Sequence, residues 1–148
     1  MNKETKVINA IKVCTDGNMY PVKFKENSLA DMYSLLNCSN IEIVHAMRLN
    51  GSFCLVCDGE ALLKDSPQIN LYASYLYGSE QHRNYIYGDV LICKEYNFDE
   101  DFEDDEDESD FQSMTQDEID YYFLQKLFLV GKLKSFADDT ERWLKGLL

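Results

Sequence analysis

Carboxylates are the most concentrated reactive groups in this chain. Residues 99–110 read DEDFEDDEDESD, with Phe98 and Phe111 on either side; ten of the twelve are acidic and none is basic. The 148-residue chain carries 27 acidic and 14 basic residues, a net charge of −13; with the tract set aside, 17 and 14 remain, a net of −3. The acidity is therefore a property of one segment. Like charges repel and resist packing, so a solvated loop is the plain reading of such a run. The sharper one is imitation of a nucleic-acid backbone. Duplex DNA carries one negative charge per roughly 1.7 Å of axis, and an extended chain of carboxylates approaches that spacing. The run would then fit a Lys/Arg groove and be steered to it by long-range attraction. Phe98, Phe102 and Phe111 would be apolar anchors within it, which a solubility tail does not need. Calcium suits carboxylates, but the Asp-x-Asp-x-Asp-Gly loop is absent, so no metal site is expected.

The remaining reactive residues point away from catalysis. Cys54-x-x-Cys57 has the spacing of a zinc or redox pair, yet in a strand residues three apart face opposite sides. No second ligand pair completes a zinc set. The five cysteines (Cys14, Cys38, Cys54, Cys57, Cys93) sit mostly in apolar runs and read as reduced, buried thiols. His45 lies in an apolar run and His82 in a polar one, and neither accompanies a nucleophile motif. Six of the ten tyrosines fall between Tyr72 and Tyr96. Basic residues there amount to Arg83 and Lys94, too few to hold a nucleic-acid backbone. Tyr72, Tyr75, Tyr77, Tyr85 and Tyr87 are instead candidates for a small-ligand or nucleotide pocket, or for strand-face packing. Glycine-rich phosphate loops are absent. No catalytic residue or cofactor is expected.

These residues need elements to hold them. Lys6–Cys14 and Tyr20–Phe24, around Thr15-Asp16-Gly17-Asn18, predict a β-hairpin. Asn27-Ser28 caps a helix over Leu29–Leu36, with Leu29, Met32, Tyr33 and Leu36 at i, i+3, i+4 and i+7. Ile41–Met47 and Ser52–Cys57 predict two more strands around Asn50-Gly51. Ala61–Leu63 is too short to assign. Leu71–Tyr77 leans towards loop and strand. Tyr85–Glu95 predicts a late strand, with Gly88 a bulge or close-approach position. Thr115-x-x-Glu118 is a capping box, followed by Ile119, Tyr122, Phe123, Lys126, Leu127 and Val130 at helical spacing. Gly131 would close that helix, and a last one would start at Ser135 or Asp138. Residues 115–148 hold six acidic and five basic side chains, without the positive excess of a DNA-reading helix pair.

The expected fold is α+β in two layers: a small, mainly antiparallel sheet with one N-terminal helix and a C-terminal helical hairpin packed on it. Residues 1–97 form the β-rich part, 98–111 the acidic loop and 112–148 the hairpin, as a single domain. The start of the chain lacks an apolar leader and no stretch is long enough to cross a bilayer, so the cytoplasm is the expected location.

Five short motifs follow in order: Ile41–Val44, Cys54–Glu60, Pro67–Asn70, Tyr87–Cys93 and Ser113–Ile119. This series resembles a family of small phage- and plasmid-borne proteins from antirestriction-type accessory regions, the domain of unknown function family 3846, over roughly Val7 to Tyr122. Asp58-Gly59-Glu60 departs from the family's turn and Leu71 replaces its Arg, while the acidic tract and the last helix look like additions. The resemblance implies a mobile-element origin and no established activity, and it moves mimicry and solvation closer to even. The expectation carried forward is a non-enzymatic inhibitor of a host DNA-targeting defence enzyme, a CRISPR nuclease or a restriction enzyme. It would bind that enzyme's basic groove through Asp99, Glu100, Asp101, Glu103, Asp104, Asp105, Glu106, Asp107, Glu108 and Asp110, with the three phenylalanines as anchors. Neither direct nucleic-acid binding nor a membrane is expected. The alternative is a ligand-sequestering domain built on the tyrosines.

Overall fold

Val7–Val13 (β1) and Met19–Lys25 (β2) pair antiparallel in register from Val7↔Lys25 to Val13↔Met19, as the turn residues between them require. The computed structural model describes residues 6–95 and 111–146. Ser28 then caps helix α1 (Leu29–Leu36), its hydroxyl accepting from the Asp31 N–H, and Asn37 closes it in the left-handed region. Strands β3 (Ile41–Val44) and β4 (Phe53–Asp58) pair antiparallel. A 3₁₀ turn at Ala61–Leu63 leads to helices α2 (Leu71–Tyr77) and α3 (Ser79–His82), and then to strand β5 (Val90–Glu95). Strand β6 (Phe111–Gln112) precedes helices α4 (Gln116–Phe128) and α5 (Val130–Gly146). The sheet order is β2-β1-β5-β4-β3, with β6 also paired to β5 and every pairing antiparallel.

Strand alternation sorts the core onto two faces. Ile11, Val13, Leu55, Cys57, Val90 and Ile92 lie with Tyr72, Ala73 and Leu76 of α2 and Ile119 and Tyr122 of α4. Ile8, Ala10, Cys54, Val56, Leu91 and Cys93 pack with Met32 and Leu36 of α1. Helices therefore cover both faces, and the layering is helix–sheet–helix rather than two layers. The two central strands are accordingly near-continuous apolar runs, FCLVC and VLIC.

Three local expectations change. Leu71–Tyr77 is a helix, not loop and strand. The Asn70 side chain accepts the Ala73 N–H at 3.1 Å, and Gly78, at φ +86°, closes the other end. The late strand starts at Val90 rather than Tyr85; Gly88 takes φ +85° before it, in a turn no L side chain adopts readily. The C-terminal helices break at Leu129, so Gly131 lies within the first turn of α5 instead of closing α4. The capping box forms as read: Glu118 N–H donates to Thr115 Oγ1 at 3.1 Å, and Thr115 N–H to Glu118 Oε1 at 2.9 Å.

Candidate functional site

The described residues on either side of the acidic tract meet at the end of β5, which lies inside the sheet between β1 and β4. Glu95, the last residue of β5, is the register partner of Phe111, the first of β6. Phe98, Phe102 and all ten tract carboxylates lie outside the described residues. Phe111 lies within them. It is 9% exposed, and its ring meets that of Phe24 edge-on at 6.1 Å in the core beneath α1. An anchor for a partner needs exposed surface, and Phe111 has little left to give. Described polar groups at this end of β5 bond one another: Glu95 and His45 Nε2 at 2.9 Å, and Lys94 and Glu118 at 2.8 Å. Partial burial raises the Glu118 pKa, but the bonds from Lys94 and Thr115 outweigh it and hold the carboxyl below its usual value.

The candidate tyrosines divide into two groups. Tyr77, at the end of α2, and Tyr85 and Tyr87, in the segment before β5, line a cleft of about 430 Å³. Its opposite wall is Glu42 and Val44 of β3, with Cys57, Asp58, Gly59 and Glu60 at the end of β4 and Leu62 and Leu63 beyond. None of the lining residues is basic and three are acidic. Asp58 is buried and bonded by Lys64 Nζ at 2.8 Å and by the Glu60 N–H at 2.9 Å. Glu42 and Glu60 are exposed and form no ion pair among the described residues. Tyr72 and Tyr75 are elsewhere. Tyr72 is 3% exposed, its hydroxyl has no hydrogen-bond partner among the described residues, and burial pushes its pKa well up. Tyr75 is covered by Arg48, whose guanidinium carbon stands 4.3 Å from the ring centre, and by Phe136.

Arg48 is the functional-looking side chain that sequence reading missed. It bonds the Glu80 carboxylate, reaches the Tyr75 carbonyl at 2.6 Å and borders two clefts. No motif marks it, because its partners come from a segment some thirty residues on. The segment holding Glu80 and Arg83 is not the free polar loop it resembles. Arg83 donates to Tyr85 Oη at 2.8 Å and to Asp139 at 3.1 Å.

Cys54, Cys57 and Cys93 are buried in the sheet, while Cys14 and Cys38 are half-buried. Cys54 and Cys57 fall on opposite faces of the sheet, as their spacing requires. Burial pushes the Cys57 thiol up to about 12 and raises those of Cys54 and Cys93 as well, so all three remain protonated at neutral pH. Among the described residues no group of three or more His, Cys, Asp or Glu converges to hold a metal. No helix among them is long and apolar enough to cross a membrane.

An antiparallel sheet enclosed by helices, with buried thiols and paired surface charges, defines a class of fold without naming a reaction. The chain belongs to the family described as Domain of unknown function (DUF3846), whose sequence model matches residues 8–127. That span runs from β1 to the last turn of α4 and leaves α5 outside it. No curated protein and no solved structure matches the chain.

Proposed function

We propose that the protein is a non-enzymatic inhibitor carried by a phage or other mobile element. It binds the basic nucleic-acid groove of a host DNA-targeting defence enzyme through the carboxylates of residues 99–110. The observation that carries this is the charge distribution: ten carboxylates in twelve residues on a chain otherwise near balance. The pairing of Glu95 with Phe111 supports it, since the residues on either side of the segment are held together at the end of one strand, β5. A binding role also suits the chemistry around it, with thiols held protonated by burial and His45 engaged with Glu95 at the surface.

The test exchanges Asp104, Asp105, Glu106, Asp107 and Glu108 for amides. It measures capture of a DNA-cutting enzyme from host lysate at low and high salt. Wild type should lose its partner as salt rises, the variant should fail to capture it at any salt, and both should melt alike. Equal capture by wild type and variant refutes the proposal.

A second reading rests on the convergence of Tyr77, Tyr85 and Tyr87 in a cleft whose charged lining is wholly acidic. That chemistry suits an amine or guanidinium, through ring faces and carboxylates, and repels the phosphates of a nucleotide. A thermal shift with a polyamine that disappears in Glu42→Gln would support it; a shift with nucleotides instead would refute the charge argument.

A further inference from the structure

Helix α4 leaves a large apolar face unpartnered. Ile119 and Tyr122 are buried against the sheet, but Tyr121 and Leu124 are more than half exposed, Leu127 is 68% exposed and Phe128 85%. Positions 121, 124 and 128 lie at i, i+3 and i+7, on one side of the helix. Val130, just past the break, extends the face at 60% exposure. These five side chains present an apolar area on the order of 500 Å². A stable interface of standard size buries about 800 Å² per partner, and homodimer interfaces are about 65% apolar. The exposed face thus has the size of one half of such an interface.

We infer that this face is covered by a second copy of the chain, with α4 packed antiparallel on its counterpart about a two-fold axis near Leu124. Two features of the surface match themselves under that operation, as an isologous contact demands. The first is charge. Asp117 and Asp120 lie towards the start of α4, while Lys132 borders a groove that it shares with Phe128 beyond the helix end. Antiparallel pairing about Leu124 sets position 120 of one copy opposite position 128 of the other. The Asp117/Asp120 end of each copy therefore meets the Lys132 end of its partner.

The second feature is shape. A cleft of about 320 Å³ opens beside the first turns of α4, lined by Arg48, Asn50, Phe53, Tyr121, Tyr122 and Gln125 together with Asp117 and Glu118. Opposite that end of the helix, the same pairing places the partner's Phe128. Each copy thus offers one projecting ring and one ring-lined recess. The neighbourhood also permits close approach by a like-charged molecule. Residues 121–137 contain three lysines and no carboxylate, on a chain of net charge −13.

The full chain is tested by sedimentation velocity across a concentration series up to about 200 μM, at low and high salt. Wild type is expected to form a closed dimer that tightens as salt rises, because screening weakens the repulsion between two acidic chains. Leu124→Glu, counted twice at a two-fold axis, should weaken the dimer by about 100-fold or more. Its far-UV circular dichroism should not change, since the side chain is already half exposed. Asp120→Lys and Lys132→Asp should each weaken association, and the double variant should restore it. A wild type that is monomeric throughout, a dimer indifferent to Leu124→Glu, or open-ended oligomers would each overturn the inference. Failure of the double variant to recover would overturn the antiparallel arrangement.

Discussion

Replacing Asn70 by alanine tests whether one buried amide ties α2 to the sheet. Asn70 is 0% exposed, and its side chain makes three hydrogen bonds. Its oxygen accepts the Ala73 N–H at 3.1 Å, and its nitrogen donates to Val13 O at 3.0 Å and to Gly88 O at 2.9 Å. Loss of the helix cap costs about 1 kcal/mol. Each of the two carbonyls, buried at Val13 and part-buried at Gly88, adds about 1 kcal/mol when it loses this donor. Asn70→Ala should therefore lower stability by about 3 kcal/mol, a large part of the ~5–15 kcal/mol typical of a domain. Asn70→Ser keeps an acceptor for the cap but cannot reach both carbonyls, and should lose about 2 kcal/mol. Asn70→Asp retains the cap geometry and sets a carboxylate against two carbonyl oxygens, so it should be no better than alanine at neutral pH. Urea unfolding followed by tyrosine and tryptophan fluorescence reads these differences as midpoint shifts at constant slope. A loss under about 1 kcal/mol for Asn70→Ala, or equal losses for serine and alanine, would refute the account.

Two further predictions concern the neighbouring loops. The Arg48 hydrogen bond holds the Glu80 carboxyl below its ordinary 4.5. Between that value and the lower native one the unfolded chain binds more protons, so stability is lost as pH falls through this window. Glu80→Gln should flatten the acid limb of a stability–pH profile there; an unchanged limb would show that the pair does not couple to folding. Gly78→Ala meets both a φ of +86° and a Cβ placed 2.1 Å from Met47 Sδ. Met47 is 60% exposed and its side chain can swing aside, so the loss should be about 1–2 kcal/mol, mostly backbone strain. Pairing it with Met47→Ala should recover little; full recovery would assign the effect to the clash instead.

What was legible in the chain was whatever short-range chemistry decides. The β1–β2 hairpin follows from turn residues between two apolar runs, and the α4 start from Thr115 and Glu118, three residues apart. The opposed faces of Cys54 and Cys57 follow from the two-residue period of a strand. The tract's charge is equally visible in composition, and it is the basis of the proposed function.

Contacts between distant segments decided the rest. LYASYLY has the residues of a strand, yet it is helical because Asn70, besides capping it, bonds Val13 and Gly88, 57 and 18 residues away. Phe111 read as an anchor beside the charge, but its place in register with Glu95 sets it against Phe24. Three tyrosines share a cleft only because the end of α2 and the segment before β5 face the β3–β4 edge. The apolar stripe of α4 shows the same limit. Leu127 and Val130 keep the period of Ile119 and Tyr122, but only the latter two meet the sheet. Periodicity records that a face is apolar; which part is covered depends on where the helix stops touching its neighbours.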